Sequence, residues 1–196
     1  MPPKKAAPKP KAAPRRGAGY AHAYSVQRLA YLDARARLAA PGLPQLVVGD
    51  LLGRSQPGGP AQADFEVRCT HAPHRCALVE LKAAKHFVLN SAGQRRFSWG
   101  GHGKTRSVTI MRQLLASGAG ILVFSWLEPA AAAGAPEEHW YLPVRVGAAA
   151  GALTGPQRTF LRKKCLKRTV AQMAARFPQA ARTQDLKSAI VALLPP

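Results

Sequence analysis

Apolar residues recur at helical spacing between Ala23 and Ala40, where Val26, Leu29, Ala30, Leu32 and Ala36 fall on one face. This predicts a helix, with Ser25 available to cap a later start and Pro41-Gly42 as the stop. Gln45–Val48 reads as a short strand. Residues 49–62 hold Gly49, Gly53, Pro57, Gly58, Gly59 and Pro60, a loop composition. Two β-rich runs follow, Ala63–Thr70 (ADFEVRCT) and Cys76–Ala83 (CALVELKA). The short connection His71–Arg75 makes them a hairpin. Residues 84–104 read as a long loop ending in a Gly-rich patch. A helix is expected over Arg106–Ser117, ended by Gly118 and Gly120. Ile121–Trp126 is largely apolar, as a buried strand is. An Ala/Gly/Pro loop at 129–136 and a strand at His139–Val146 come next. The remainder reads as basic and helical, with Thr154-Gly-Pro opening one helix and Thr183 capping the last.

This order predicts an α/β fold, a mixed central β-sheet flanked by helices. It divides the chain into a tail (1–18), an α/β domain (19–150) and a basic helical segment (151–196). No internal repeat is visible. Hydrophobic residues make up 47% of the 196, but many are Ala and aromatics are only 7%. The core must come from a modest set of Leu, Val, Ile, Phe and Trp, which suffices for a domain of roughly 140 residues.

Charge changes the picture most. Lys plus Arg number 29 against 9 Asp plus Glu, a formal net charge of +20. Such a surface repels itself unless an anion neutralises it. Nucleic acid is the expected partner, since each neutralised phosphate releases counterions. A ribosomal or histone-like structural protein would share this balance. A membrane-surface protein fits less well: there is no apolar run of about 18 residues, and no apolar stretch follows the basic N-terminus as in a secretion signal. Residues 1–18, MPPKKAAPKPKAAPRRGA, hold no acid and are expected to be disordered, resembling a histone tail. Three Cys (Cys69, Cys76, Cys165) fit a reducing compartment better than a disulfide scaffold. The expected location is intracellular: the nucleus for a eukaryotic or nuclear-virus source, otherwise cytoplasm or nucleoid.

The nine acids are Asp33, Asp50, Asp64, Glu66, Glu80, Glu128, Glu137, Glu138 and Asp185. An acid near a phosphate-binding face weakens binding unless, as one of a pair, it holds a divalent cation. Side chains alternate along a strand, so Glu80 and Lys82 share a face while Val79 and Leu81 turn to the core. The neighbouring hairpin strand can bring Asp64 beside Glu80. Two carboxylates with the Leu81 backbone carbonyl nearby form an oxygen-rich site for Mg²⁺ or Mn²⁺. Lys82 is placed to orient or help deprotonate an attacking water and to stabilise a phosphorane-like state. Between residues 17 and 157 Lys occurs only at Lys82, Lys85 and Lys104. Arg clamps phosphate better but does not release a proton, so a Lys inside an apolar strand suggests chemistry. The competing reading is an exposed strand with an ordinary ion pair.

ADFEV, a hairpin and then LVELKA resemble the PD-(D/E)xK nuclease superfamily, whose fold is restriction-endonuclease-like. The following loop, the helix with Gln113 and the strand GAGILVFSW are similar to its Holliday junction resolvase branch, RecU-like or archaeal-type. The resemblance spans about residues 22–146. It implies that Asp64 and Glu80 ligate metal, that Lys82 is catalytic and that Gln113 faces the site. It also implies a metal-dependent endonuclease, acting as a homodimer on branched DNA. Two departures stand out. Ala63 replaces the Pro before the first Asp. The first helix offers only Gln27 or Asp33 where relatives carry a Glu. A rival register makes Glu66 the second acid, but Arg68 then stands in the lysine's place. The alternatives are another nuclease of the same superfamily, for repair or restriction, and a non-catalytic architectural DNA- or RNA-binding protein.

Gly100-Gly101-His102-Gly103-Lys104-Thr105 lacks the first Gly of a P-loop (Ser98 stands there) and the buried strand before it. It reads instead as a DNA-contact loop in which Arg95, Arg96, Lys104 and Arg106 supply charge. Phe97 and Trp99 either stack on bases or pack the core. Arg112, Lys163 and Lys164 are further candidates for nucleic-acid contact. Cys69, His71, His74 and Cys76 are zinc-ligand types. They span eight residues of a hairpin, which is tight for one tetrahedral site, and a cross-strand Cys pair is the alternative.

Overall fold

The computed structural model describes residues 18–42, 44–51, 62–89, 94–100, 104–128, 137–148, 153–162 and 165–196. The expected tail through residue 17, the loops at 52–61, 101–103 and 129–136, and Lys163 and Lys164 lie outside the described residues. In chain order the elements are α1 (Ala18–Ala39), β1 (Leu46–Asp50), β2 (Phe65–Cys69), β3 (Ala72–Ala83), β4 (Lys85–Leu89), β5 (Arg95–Gly100), α2 (Lys104–Ala116), β6 (Gly120–Glu128), β7 (Glu138–Arg145), α3 (Gly155–Leu161), β8 (Cys165–Thr169), α4 (Val170–Arg176) and α5 (Leu186–Leu193). The fold is α/β, as the hydrophobic pattern predicts: a mixed sheet in the order β1-β2-β3-β6-β7 with helices packed on it. Its one parallel pair is β3 and β6; the other neighbours are antiparallel.

β6 lies inside the sheet between β3 and β7, and every residue from Gly120 to Trp126 is buried. Such a run has two apolar faces to cover. Ile121 and Val123 join Val79 and Leu81 of β3 under α1 and α5. Leu122, Phe124 and Trp126 face α2, Phe160 of α3, Met173 of α4 and Phe177. Residues of the C-terminal segment thus enter both cores: Phe160, Met173 and Phe177 in one, Leu186, Ile190 and Leu194 in the other. Gly120 is required by a close approach: a Cβ there would overlap the Leu114 carbonyl oxygen.

Three expectations change. Residues 84–104 are not one long loop, and 165–169 are not helical. β4, β5 and β8 form a second sheet in the order β4-β5-β8. For Phe97 of β5, the core-packing reading of the two is the one the structure shows. It is fully buried, edge-on to Phe124 at 5.1 Å and to Trp126 at 6.2 Å. Thr154 caps α3 as expected, in a reciprocal box with Gln157. The last helix is capped by Asp185, which accepts from Ser188 N at 3.0 Å. Thr183, the expected cap, accepts from Asp185 N and pairs its backbone with Tyr141.

Candidate active site

β2 begins only at Phe65, opposite Val79, while β3 runs on past that point to Ala83. The β2-side edge of this extension is met by side chains in place of a strand. Leu81 N donates to Asp64 Oδ2 at 2.7 Å. Leu81 O accepts from Gln27 Nε2 at 3.0 Å, and Ala83 N donates to Gln27 Oε1 at 3.2 Å. Gln27 is placed by α1. Four residues on, on the same helix face, Tyr31 stacks on Phe65 with ring centroids 4.5 Å apart. That contact docks α1 on the start of β2, and Gln27 reaches β3 one turn earlier.

The β2–β3 register carried one step past Phe65 sets Asp64 across from Glu80. Both are buried, at 7% and 2% exposure. Glu80 Oε1 is ion-paired with Lys82 Nζ, whose side chain keeps 19% exposure. Glu80 Oε2 is buried with no hydrogen-bond partner among the described residues. A buried carboxylate oxygen without a partner is costly. A hard divalent cation with oxygen ligands would satisfy it. Among the described residues no group of three or more His, Cys, Asp and Glu could hold a metal. The donors present are two carboxylates and the second lone pair of Leu81 O. That fits Mg²⁺, which takes one or two carboxylates and fills its shell with water and substrate phosphate.

The structure thus brings together Asp64, Glu80, Leu81 and Lys82. It adds Gln27, one of the two first-helix candidates. Asp33, the other, lies elsewhere, accepting from Tyr141 Oη and, at 2.8 Å, from Arg37 Nε. Gln113 is exposed on α2, and among the described residues no hydrogen bond joins its side chain to the site. The rival register is spent on the surface, where Glu66 and Arg68 form an exposed ion pair at 3.0 Å. Arg95 and Arg96 lie on β5, Lys104 and Arg106 in the first turn of α2. Arg112 is exposed further along that helix. Cys69 faces the α1 core beside Val67, while Cys76 sits opposite Arg68 on the other face. The two thiols therefore form neither a cross-strand pair nor half of a zinc site.

A second polar cluster holds α1 to β7. Tyr141 and Arg37 both donate to Asp33, and His139 Nδ1 lies 4.0 Å from the same oxygen. Burial, then the bond to Asp33, push the Tyr141 phenol far above its ordinary range. Burial holds His139 below its ordinary value despite Asp33.

No family model matches the chain, and neither does any curated protein or solved structure. Among the described residues no helix is long and apolar enough to cross a membrane.

Proposed function

We propose that the protein is a metal-dependent DNA endonuclease that hydrolyses phosphodiester bonds, with four-way junctions as its best-matched substrate. The observation that carries this is the unpartnered, buried Glu80 Oε2 next to Asp64 and Lys82. A purely structural ion pair between Glu80 and Lys82 has no use for an idle Glu80 Oε2, nor for a second carboxylate buried beside it. In a protein of net charge +20, such a pair does not serve to hold DNA, because it repels phosphate.

In this reading Asp64 and Glu80 hold Mg²⁺ or Mn²⁺, with Leu81 O beside them. The cation would polarise the phosphoryl oxygen and lower the pKa of bound water. Asp64 is fixed by the Leu81 N–H, so its other oxygen has one preferred direction. Lys82 is held by Glu80 and still reaches solvent, where it can orient the attacking water or neutralise charge on phosphorus. Gln27 locks the backbone on both sides of Lys82. Symmetric cutting of a junction calls for two copies of the chain.

The test uses labelled four-way junction, matched duplex and single strand, with Mg²⁺, Mn²⁺ or chelator. Metal-dependent cutting is expected, abolished in Lys82→Ala and Asp64→Ala, with paired nicks at the junction. Cutting of duplex alone would select another nuclease of the same type. Cutting of nothing, with tight binding retained, would leave a non-catalytic architectural protein.

A further inference from the structure

We propose that the cleft between α3 and α4 binds a second phosphate of the nucleic-acid backbone, remote from the scissile one. The proposal rests on nucleic acid as the partner but not on its being cut. The cleft is about 480 Å³ and is lined by Thr154, Gln157, Phe160, Arg168, Gln172 and Arg176.

Its base is Phe160, buried at 3% exposure. The guanidinium carbons of Arg168 and Arg176 lie 5.9 Å and 4.9 Å from that ring's centroid. Cation–π contact fixes two long side chains over one small area. The backbone under them is also fixed. Gln157 Nε2 donates to Arg176 O at 2.8 Å and to Gln179 Oε1 at 3.1 Å, tying α3 to the end of α4. Arg168 Nη1 donates to Lys167 O at 2.8 Å.

Neither guanidinium has a carboxylate partner among the described residues. Three arginines elsewhere do have such a partner: Arg37 with Asp33, Arg68 with Glu66, Arg182 with Glu128. No Asp or Glu lines this cleft, and none occurs from residue 139 to residue 184. Two cations against one ring, with no carboxylate beside either among the described residues, favour an anion near both. A phosphate, offering several oxygens to two forked donors, matches that geometry. A lipid surface matches it poorly. Membrane-surface sites set large apolar side chains beside their cations. The exposed large hydrophobic residues among those described are Leu29, Leu32 and Val47, none of them near the cleft in the chain.

The cleft also lies on the face of the main sheet that carries Lys82. Lys82 is the register partner of Phe124. Phe124 stacks on Phe177 at 6.1 Å, and Phe177 meets Phe160 edge-on at 6.1 Å. With a strand spacing of about 4.8 Å, this places the guanidinium pair within roughly 20–25 Å of Lys82. At about 3.4 Å per base pair, the second phosphate lies no more than about seven base pairs from the first.

The experiment measures binding of full-length protein to a fluorescent duplex and to a four-way junction over a salt series. The double variant Arg168→Gln/Arg176→Gln is expected to bind at least about tenfold more weakly. Its log K against log salt slope should be shallower by about 1. Shortening the arms below about seven base pairs should weaken the wild type toward the variant and leave the variant unchanged. Arg28→Gln/Arg35→Gln removes equal charge from exposed positions on α1 and should bind within about twofold of wild type. Thermal melts guard against misfolding, and Arg168→Lys/Arg176→Lys, which keeps the charge, should bind in between. The proposal is overturned if the Gln pair is no worse than the α1 pair. It is also overturned if phosphatidylserine vesicles capture the wild type while duplex does not, or if millimolar inorganic phosphate displaces duplex from the wild type and the variant alike. If the binding result holds and no substrate is cut, the nuclease reading fails and this site stands.

Discussion

Asp64 does two jobs with one carboxylate, and they can be separated. One oxygen accepts from Leu81 N at 2.7 Å; the charge belongs to the proposed cation. Asp64→Asn keeps an acceptor and loses the charge. The variant should melt at or above the wild-type temperature without metal, because two adjacent buried carboxylates become one. It should lose all metal-induced stabilisation and all cutting. Calorimetry with and without Mg²⁺ checks both halves, and a metal response equal to wild type sinks the assignment. Gln27 is the counterpart that has no charge to lose. Gln27→Leu strands the Leu81 carbonyl and the Ala83 N–H, each at about 1–3 kcal/mol if left unsatisfied. Hydrogen exchange at Ala83 should rise in that variant. His139 supplies a pH response. Its stacked, half-buried ring faces Asp33, Arg37, Glu137 and Tyr141, and burial is the largest influence on it. A folded pKa below the ordinary 6.5 means the unfolded chain binds the proton more readily. The stability it contributes is therefore present above that value and lost as pH falls through it toward the folded value. Melting temperatures taken from about pH 8 to about pH 5 should fall less in His139→Phe, which keeps the stack on Tyr141 and removes the proton. An equal fall in both would rule His139 out as a source of the pH dependence.

Helices α1 and α5 end on each other's neighbourhood, and cations close both ends. Lys187 Nζ donates to Ala40 O and Gly42 O, each at 2.7 Å, just past the end of α1. Arg75 of β3 donates to Val191 O at 3.2 Å and Pro195 O at 2.9 Å at the end of α5. Cations at helix C-termini satisfy orphan carbonyls and oppose the macrodipole. Arg75→Ala should cost about 1–2 kcal/mol and raise hydrogen exchange over residues 186–194. Arg75→Lys should restore part of it, because one ammonium replaces a fork. These contacts join residues more than a hundred positions apart, so no local pattern announces them. The same limit explains what the chain hid elsewhere. Asp64, Glu80 and Lys82 were readable because strand alternation is local and Val79, Leu81 and Ala83 mark the buried face. Gln27 was only one of two candidates, since its bond to Leu81 spans 54 positions. β5 reads RRFSWG and β8 reads CLKRT. Each is short, charged and without a clean apolar alternation, so each resembles a loop or a basic helical face. They become strands because each supplies the other's backbone partners, Arg96–Gly100 against Cys165–Thr169, and because Phe97 finds the β6 core.

At the scale of the whole molecule, the charge of +20 is not one feature. Arg168 and Arg176 lie over a buried ring and are fixed in space. Lys82 is held inside the carboxylate site. Lys4, Lys5, Lys9, Lys11, Arg15 and Arg16 crowd the first 17 residues among Pro and Ala, with no acid beside them. A segment of that composition carries charge without a core residue to anchor it. Its contribution should therefore be affinity, whereas the fixed cations should set position. Removing residues 1–17 tests the division. The truncated protein should keep its melting temperature, since the core residues among those described begin at Ala30. Its affinity for duplex and junction should fall most at low salt, with a log K against log salt slope shallower by at most about 5, roughly 0.9 for each of six contacts. At high salt the two proteins should converge. The positions of the nicks should not move, because in the proposed reading Asp64, Glu80 and the Arg168/Arg176 cleft fix the nucleic-acid backbone at two points on the folded domain. Sequencing-gel mapping of the cut sites in both proteins decides it. Shifted cuts would mean that the tail steers the substrate, and that the folded domain alone does not define the register.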